Sequence, residues 1–145
     1  GSFGLEALSR KASEVTFVDA SKQADFVLKK NGAHTGFLPE ANIVREKVEE
    51  FLPREIASNN SYDIIFMDPP YKLYNAKRVF KMQNVINLES QLLRGVKEKE
   101  SNQFKGVLII KHPRRYPIDN LQFDHIKKIE TYEFGLNSIS FYILK

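Results

Sequence analysis

IIFMDPPYKLY, residues 64–74, sets a hydrophobic run directly against an acid, two prolines and a tyrosine. Residues 64–67 have the continuous apolar character of a buried strand. The two prolines that follow cannot donate to a sheet ladder, and they hold their φ angles near about −65°. The segment therefore predicts a strand that ends at Asp68 and continues as a stiff, non-pairing hook. This hook carries one carboxylate, one aromatic ring and free backbone carbonyls.

Composition predicts one ordinary domain that spans residues 1–145, with 42% hydrophobic and 28% charged residues. No apolar run approaches the ~20 residues of a membrane span, so no membrane partner is expected. The absence of cysteine excludes a disulfide scaffold and a thiolate metal site, and it agrees with a reducing cytoplasm. The three histidines have no ligand spacing, so no metal is expected. The net charge of +4 favours a polyanionic partner such as nucleic acid.

Local patterns predict alternating strands and helices along the chain. Strands are predicted over residues 14–19, 41–48, 62–68 and 105–112, with a closing hairpin around residues 135–137. Helices are predicted over residues 5–12, 22–32, 49–57 and 76–98. Ser21 is the expected cap of the second helix and Asn31-Gly32 its stop, while Pro53 is expected to break the third. Residues 1–4 are expected to be flexible.

Strands that alternate with helices predict an α/β fold. We expect a mostly parallel sheet with helices on both faces and an antiparallel hairpin at the C-terminal end. In such sheets ligands bind outside the carboxyl ends of the strands. The candidate site is therefore made of the polar strand ends, which are Asp19, residues 46–48, residues 68–71, and His112 with Pro113.

The hook at residues 68–71 suits an exocyclic amine with two hydrogens. The carboxylate of Asp68 and the carbonyl of Pro69 are two rigidly placed acceptors, and the ring of Tyr71 offers a face on which a planar base can stack. Holding both N–H groups orients the nitrogen so that its lone pair points at an electrophile. The alternative is a capped strand end with a proline-stiffened loop.

Two further features are consistent with a ligand at the same sheet edge. Asp19 ends a strand where a carboxylate could hold a ribose diol through two hydrogen bonds. It could equally cap the helix that begins near Ser21. The short stretch from Gly1 to Gly4 could bring backbone N–H groups close to a ligand at a helix start.

The stretch IIFMDPPY resembles the (D/N)PP(Y/F) motif of class I S-adenosylmethionine-dependent amino-methyltransferases, and GSFGLEALSRKA, residues 1–12, resembles the end of the first glycine-rich motif and the following helix in the RsmD family. The resemblance continues through VTFVD, VEEFL and GVLIIKH to the final SISFYIL, so it covers nearly the whole chain. It implies a Rossmann-like class I methyltransferase fold with S-adenosylmethionine as cofactor. The implied reaction is methylation of the exocyclic N2 amine of a guanine in small-subunit (16S) ribosomal RNA. The implied cofactor-binding residues are Gly1, Ser2, Gly4, Asp19, Lys47, Val48 and Asp68, and the implied catalytic residues are Asp68, Pro69, Pro70 and Tyr71.

The sequence departs from the family pattern at two places. In the family a strand and an acidic residue precede the first glycines, so the first strand of the sheet and part of the methionine-binding loop are expected to lie before residue 1. The family often has Asp or Asn before the residue that contacts the adenine, whereas this chain has Lys47, which cannot accept the hydrogens of the adenine amine. Adenine recognition is then expected to rest on the Val48 backbone and apolar walls, with help from Glu46.

Positive charge is expected around the site, because a guanine in structured RNA must be flipped out before its amine can react. The predicted RNA-binding residues, with Tyr74 as a second stacking ring, are Lys72, Tyr74, Lys77, Arg78, Lys111, Arg114 and Arg115. The alternative is that these charges are solvated loop residues. The expected partner is ribosomal RNA or the small ribosomal subunit, bound by a monomer.

Two rival functions remain open. A DNA amino-methyltransferase would use the same hook, but it would need a target-recognition insertion that no stretch here is long enough to supply. A non-catalytic Rossmann-like module that binds RNA or a protein is favoured by the abbreviated N-terminus and by Lys47.

Overall fold

The computed structural model of the protein describes residues 1–95, 105–116 and 118–145. These residues form two compact units, Gly1–Phe51 and Leu52–Lys145, and the single domain expected from length stays a prediction. The first unit contains α1 (Ser2–Ser9), β1 (Val15–Val18), α2 (Lys22–Thr35) and β2 (Ala41–Val44), and α3 (Val48–Ala57) begins in it. The second contains β3 (Ile64–Met67), α4 (Val79–Gln91), β4 (Val107–Pro113), β5 (Ile126–Phe134) and β6 (Asn137–Leu144). None of the described helices is both long and apolar enough to cross a membrane.

The first unit is a βαβ arrangement in which β1 and β2 pair in parallel, with α2 as the crossover. The predicted cap of α2 is confirmed, because the Ser21 hydroxyl accepts the Ala24 N–H at 3.2 Å. The predicted stop at Asn31-Gly32 is wrong. The helix continues to Thr35 and ends at Gly36, whose φ of 77° is left-handed and suits glycine.

The glycines at the start of the chain are ordered, which corrects the expectation of a flexible segment. Gly1 is the cap of α1, and Gly4 lies inside the helix. A Cβ atom at Gly4 would stand 2.3 Å from Phe17 Cε1 and 2.9 Å from Val15 Cγ1. Gly4 is therefore required for the close packing of α1 on β1.

The second unit is built on a four-stranded sheet in the order β3-β4-β6-β5. β3 and β4 run parallel, whereas β6 is antiparallel to both β4 and β5. The predicted hairpin is confirmed, with Gly135 at φ 57° in the turn between β5 and β6. The described strands thus form two sheets, β1-β2 and this one, where a single sheet was expected. Among the described strands, β1 pairs only with β2, and β3 pairs only with β4.

The core of the second unit is built from this sheet and from α4. Leu108 and Ile110 of β4 are fully buried, and the residues of β6 that pair with them, Tyr142 and Ser140, are buried as well. On α4 the buried residues recur at the spacing of one helical face, namely Met82, Val85, Ile86, Glu89 and Ser90.

Three further predicted elements differ in the structure. β3 is predicted to be buried, but its first residue, Ile64, is half exposed. α3 continues through Pro53 instead of breaking there. α4 begins at Val79 and ends at Gln91, so Leu92 and Leu93 follow the helix, and the predicted extension through Val96 to residue 98 lies outside the described residues.

Glu89 is a buried acid on α4 that makes the stability of the protein depend on pH. Its Oε2 atom has no hydrogen-bond partner among the described residues, and burial raises the pKa of the carboxyl from 4.5 to about 8. Between these two values the folded state binds more protons than the unfolded state. The free energy of unfolding therefore falls as the pH rises through this window.

We expect Glu89→Gln to remove much of this pH dependence, because the amide has a similar shape and no charge to desolvate. Relative to the unaltered protein, the free energy of unfolding of the variant should be about 1 to 3 kcal/mol more favourable to the folded state at pH 8.5 than it is at pH 5. Denaturant unfolding at the two pH values measures the difference. Glu50→Gln, on the exposed surface of α3, is the control and should change stability equally at both. If the free energy of unfolding changes with pH equally in Glu89→Gln and the unaltered protein, Glu89 is not the source of the pH dependence.

Candidate active site

The parallel pairing of β3 with β4 places Asp68, at the carboxyl end of β3, beside Lys111. The register aligns Met67 with Ile110, so the next residue of each strand lies alongside the other. Lys111 Nζ is 3.7 Å from Asp68 Oδ2, and both side chains remain partly exposed. Solvent screens such a pair, so it contributes little to stability and mainly orients the carboxylate.

The prolines after Asp68 form the predicted hook. Pro70 is extended at φ −55° and ψ 136°, and it begins a single 3₁₀ turn at Tyr71–Leu73. The Pro70 carbonyl accepts the Leu73 N–H at 2.9 Å, which closes this turn. No described group donates to the Pro69 carbonyl, which leaves that acceptor available beside the Asp68 carboxylate. The Tyr71 ring is 46% exposed, enough to offer a face to a planar ligand.

Tyr74 is buried, which contradicts its predicted role as a second stacking ring. Its hydroxyl donates to the Lys111 carbonyl at 2.8 Å, and its ring packs edge-on against Tyr71, with 6.3 Å between the ring centroids. Tyr116 packs on it at 5.7 Å. Burial, and next the charge of Asp68, raises the pKa of Tyr74 above its usual range. Tyr74 thus holds the hook against β4 and does not face a ligand.

His112, which the sequence placed at a strand end, is a buried structural residue. Its Nδ1 lies 3.2 Å from the Pro113 carbonyl, and its Nε2 lies 2.9 Å from the Ser140 hydroxyl. A carbonyl can only accept, so we assign the proton to Nδ1, and Nε2 then accepts from Ser140. Ser140 in turn lies 2.9 Å from the Thr131 hydroxyl. This chain joins β4, β6 and β5, and no local sequence signal indicated it.

In the first unit, Asp19 shapes the turn that leads into α2. Its Oδ1 accepts the Ser21 N–H at 2.7 Å, and its backbone N–H donates to the Val44 carbonyl. Because the Ser21 hydroxyl caps the helix itself, the alternative that Asp19 is the cap is wrong. No described group occupies Oδ2, and the side chain is exposed. That oxygen remains open to a ligand.

Two helix starts in the same unit carry the other predicted cofactor residues. Gly1 caps α1 and Ser2 begins it, so the first N–H groups of this helix lack intrahelical acceptors. Lys47 precedes α3, and its carbonyl accepts the Glu50 and Phe51 N–H groups, each at 3.0 Å. Its side chain is exposed. Val48, as the first residue of α3, has an N–H of the same unpaired kind.

The predicted RNA-binding cations divide into two groups. Lys111 lies inside β4 and pairs with Asp68, and Arg114 pairs with Glu133 at 2.8 Å. The others are exposed and have no carboxylate within ion-pair distance in the part of the chain that the structure describes; they are Lys72, Lys77, Arg78 and Arg115. Only the second group has its full charge available to a polyanion.

Among residues 1–95, 105–116 and 118–145, no group of three or more His, Asp or Glu side chains is placed to hold a metal ion.

Comparison with known proteins identifies related sequences over most of the chain. The model of the family described as "Conserved hypothetical protein 95" matches residues 1–143. Two curated relatives are named "Ribosomal RNA small subunit methyltransferase D". One, from Buchnera aphidicola subsp. Baizongia pistaciae, is 38% identical over 72 residues, which are 50% of this chain and 35% of the relative. The other, from Haemophilus influenzae, is 32% identical over 83 residues, which are 57% of this chain and 42% of the relative. The chain thus spans less than half the length of either.

A solved structure has the same fold. SMU.776, a protein solved in complex with SAH, superposes with a TM-score of 0.75 over 98% of this chain and 42% of that chain, at 12% sequence identity. The predicted fold, an α/β Rossmann-like class I methyltransferase fold with a C-terminal antiparallel hairpin, is thereby confirmed.

Removing the Tyr74 hydroxyl should weaken the attachment of the hook to β4. Tyr74→Phe keeps the ring contacts but leaves the Lys111 carbonyl without its donor, so we expect the free energy of unfolding to fall by about 1 to 2 kcal/mol. Tyr71→Phe is the matched control, because the Tyr71 hydroxyl has no described partner, and it should change stability by less than about 0.5 kcal/mol. Denaturant unfolding measures both, and equal values for the two variants would rule out the anchoring role.

Proposed function

The chain belongs to the family described as "Conserved hypothetical protein 95", the RsmD-like family, and from that premise we propose that it is an S-adenosylmethionine-dependent methyltransferase of small-subunit ribosomal RNA. We propose that its target is the exocyclic N2 amine of a guanine. The observation that carries this proposal is the hook, where an exposed carboxylate, an unoccupied carbonyl and an exposed aromatic ring stand together after β3.

The hook residues act on the target base. The Asp68 carboxylate and the Pro69 carbonyl each accept one hydrogen of the amine, and the ring of Tyr71 stacks on the guanine. The amine is a weak nucleophile because its lone pair is conjugated with the ring. Holding both hydrogens fixes the direction of that lone pair, so the contribution of the protein is orientation. The ion pair with Lys111 keeps the carboxylate in place.

When bound, the cofactor would supply a methyl group on a positively charged sulfur. The amine nitrogen would bond to the methyl carbon as the carbon–sulfur bond breaks, the sulfur would leave as a neutral thioether, and the amine would lose one proton to water. The residues of the first unit fit parts of this molecule. Asp19 Oδ2 would accept from the ribose diol, the Val48 N–H would donate to the adenine ring, and the N–H groups that begin α1 at Ser2 would bind the methionine carboxylate. The exposed ammonium of Lys47 does not fit the adenine amine, because both groups are donors. Gly4 serves packing in α1, so its part in cofactor binding is indirect.

The substrate chemistry agrees with the charges beside the hook. A flipped guanine carries phosphates on both sides, and the exposed cations Lys72, Lys77, Arg78 and Arg115 are free to bind them. Arg114 contributes less to RNA affinity than its position suggests, because Glu133 already neutralises part of its charge. The proposed partner is therefore ribosomal RNA, either naked or in the assembled small subunit.

Asp68→Ala tests the proposed reaction. We expect S-adenosylmethionine affinity to stay within a few-fold and methyl transfer to fall by at least ~100-fold, because the amine loses its orientation. Transfer of a tritiated methyl group to small subunits from a strain that lacks the gene measures the rate. Asp63→Ala is the matched control, since Asp63 precedes β3, is similarly exposed and pairs with Arg94. Equal turnover by Asp68→Ala and Asp63→Ala would remove Asp68 from the mechanism.

Asp19→Ala tests the proposed cofactor contact. Loss of a hydrogen bond to a charged group should weaken S-adenosylmethionine binding by ~1.5–3 kcal/mol, measured by isothermal titration. Ser21→Ala is the control, because it removes the cap of α2 and should lower thermal stability without changing affinity. If Asp19→Ala lowers only thermal stability, the carboxylate serves the turn alone. If the unaltered protein does not bind the cofactor, the non-catalytic module becomes the better account.

A further inference from the structure

Phe80 is the most exposed aromatic side chain among the described residues, with 73% of its surface accessible. It is the second residue of α4, and it lies opposite the helix face whose buried residues include Met82 and Ile86. Phe80 therefore does not contribute to the core that α4 helps to form. An exposed ring of this size has a cost in water that contact with a partner would remove.

The side chain of Asn75 orders the short segment that connects the hook to Phe80. Asn75 Oδ1 accepts the Lys77 and Arg78 N–H groups, at 3.0 and 3.1 Å, while its Nδ2 donates to the Lys72 carbonyl at 2.6 Å. The Asn75 carbonyl accepts the Val79 N–H at 3.0 Å, which starts α4. The path from Tyr71 to Phe80 is thus a series of closed turns, so the two exposed rings belong to one ordered segment.

The segment is also the most uniformly basic part of the chain near the candidate site. Residues 69–88 contain no acid. Lys77 and Arg78, which directly precede α4, are exposed and unpaired within the described part of the chain, unlike Lys111 and Arg114. An exposed ring flanked by unpaired cations matches an unpaired nucleotide, whose base stacks while its phosphates bind the cations.

We propose that Phe80 stacks on an unpaired base of the RNA substrate next to the target guanine, while Lys77 and Arg78 bind the adjoining phosphates. This inference rests on the proposed function for the identity of the RNA. It assigns to Phe80 the stacking role that the sequence placed on Tyr74. The surface formed by Phe80, Lys77 and Arg78 then selects single-stranded RNA at the methylation site, because a paired base has no free face for the ring.

Fluorescence anisotropy with a labelled single-stranded RNA oligonucleotide, without cofactor, tests the proposal independently of methyl transfer. Phe80→Ala should weaken binding about 5- to 150-fold, the range for one stacked base. Phe80→Trp should keep the affinity, and Phe80→Leu should lose it as Phe80→Ala does, because leucine lacks an aromatic face. Phe26→Ala is the matched control, since Phe26 is 66% exposed on α2, and it should bind like the unaltered protein.

A salt series separates the two kinds of contact. Phe80→Ala should lower affinity without changing the slope of log affinity against log salt. The double variant Lys77→Ala/Arg78→Ala should flatten that slope by about 1.4 units, at about 0.7 per phosphate contact. Unchanged RNA affinity in Phe80→Ala would overturn the proposal, as would retained affinity in Phe80→Leu. Reduced methylation of assembled subunits with unchanged RNA affinity would also overturn it, because the ring would then dock on a ribosomal protein. Equal turnover by Asp68→Ala and Asp63→Ala would overturn the proposed reaction and would leave this binding result intact, so the two proposals fail separately.

Discussion

Parallel pairing between β3 and β4 is the constraint on which the candidate active site depends. The register that aligns Met67 with Ile110 brings both strand ends to one edge, so Asp68 emerges beside Lys111. The same lysine offers its carbonyl to the Tyr74 hydroxyl, which ties the hook back to the strand that orients its carboxylate. A slip of one residue would turn every side chain of β3 to the opposite face. Correct pairing in the core is therefore a condition for correct chemistry at the edge.

Buried polar groups help to hold β4, β6 and β5 of the same sheet in a single register. The hydrogen-bonded chain from His112 through Ser140 to Thr131 crosses three strands, and each member satisfies the next. In another register these groups would be buried without partners, which is costly in a medium of low dielectric. Glu89 is one of three exceptions among the described residues of the same unit, with Asn87 and Asn137, because its Oε2 atom has no described partner, and burial raises the pKa of its carboxyl. The unit thus contains a hydrogen-bond network that fixes the strand register and one buried carboxyl whose protonation depends on pH.

Charge is distributed around the hook in a way that separates positioning from binding. Lys111 and Arg114 are each matched with an acid, so their charges hold protein groups in place. Lys77 and Arg78 stand unpaired in the described structure beside the exposed ring of Phe80. The paired cations define the geometry of the site, and the unpaired ones remain for a polyanion. This division of the charges underlies the proposal that the substrate is recognised by its phosphates and by stacking, with its amine held at Asp68.

The sequence alone determined the features that depend on near neighbours: the strand that ends at Asp68, the Ser21 cap and the turn at Gly135 all follow from local propensity and turn chemistry. The same local information supported the choice of sheet edge as the candidate site, because strand direction decides where carboxyl ends meet. The tertiary structure alone decided which side chains stay available there. Tyr74 is held by a hydrogen bond to a carbonyl 37 residues away, and Arg114 pairs with Glu133 of β5, which follows it by 19 residues in the chain. Burial and ion pairing are set by contacts between distant segments, which no local pattern encodes.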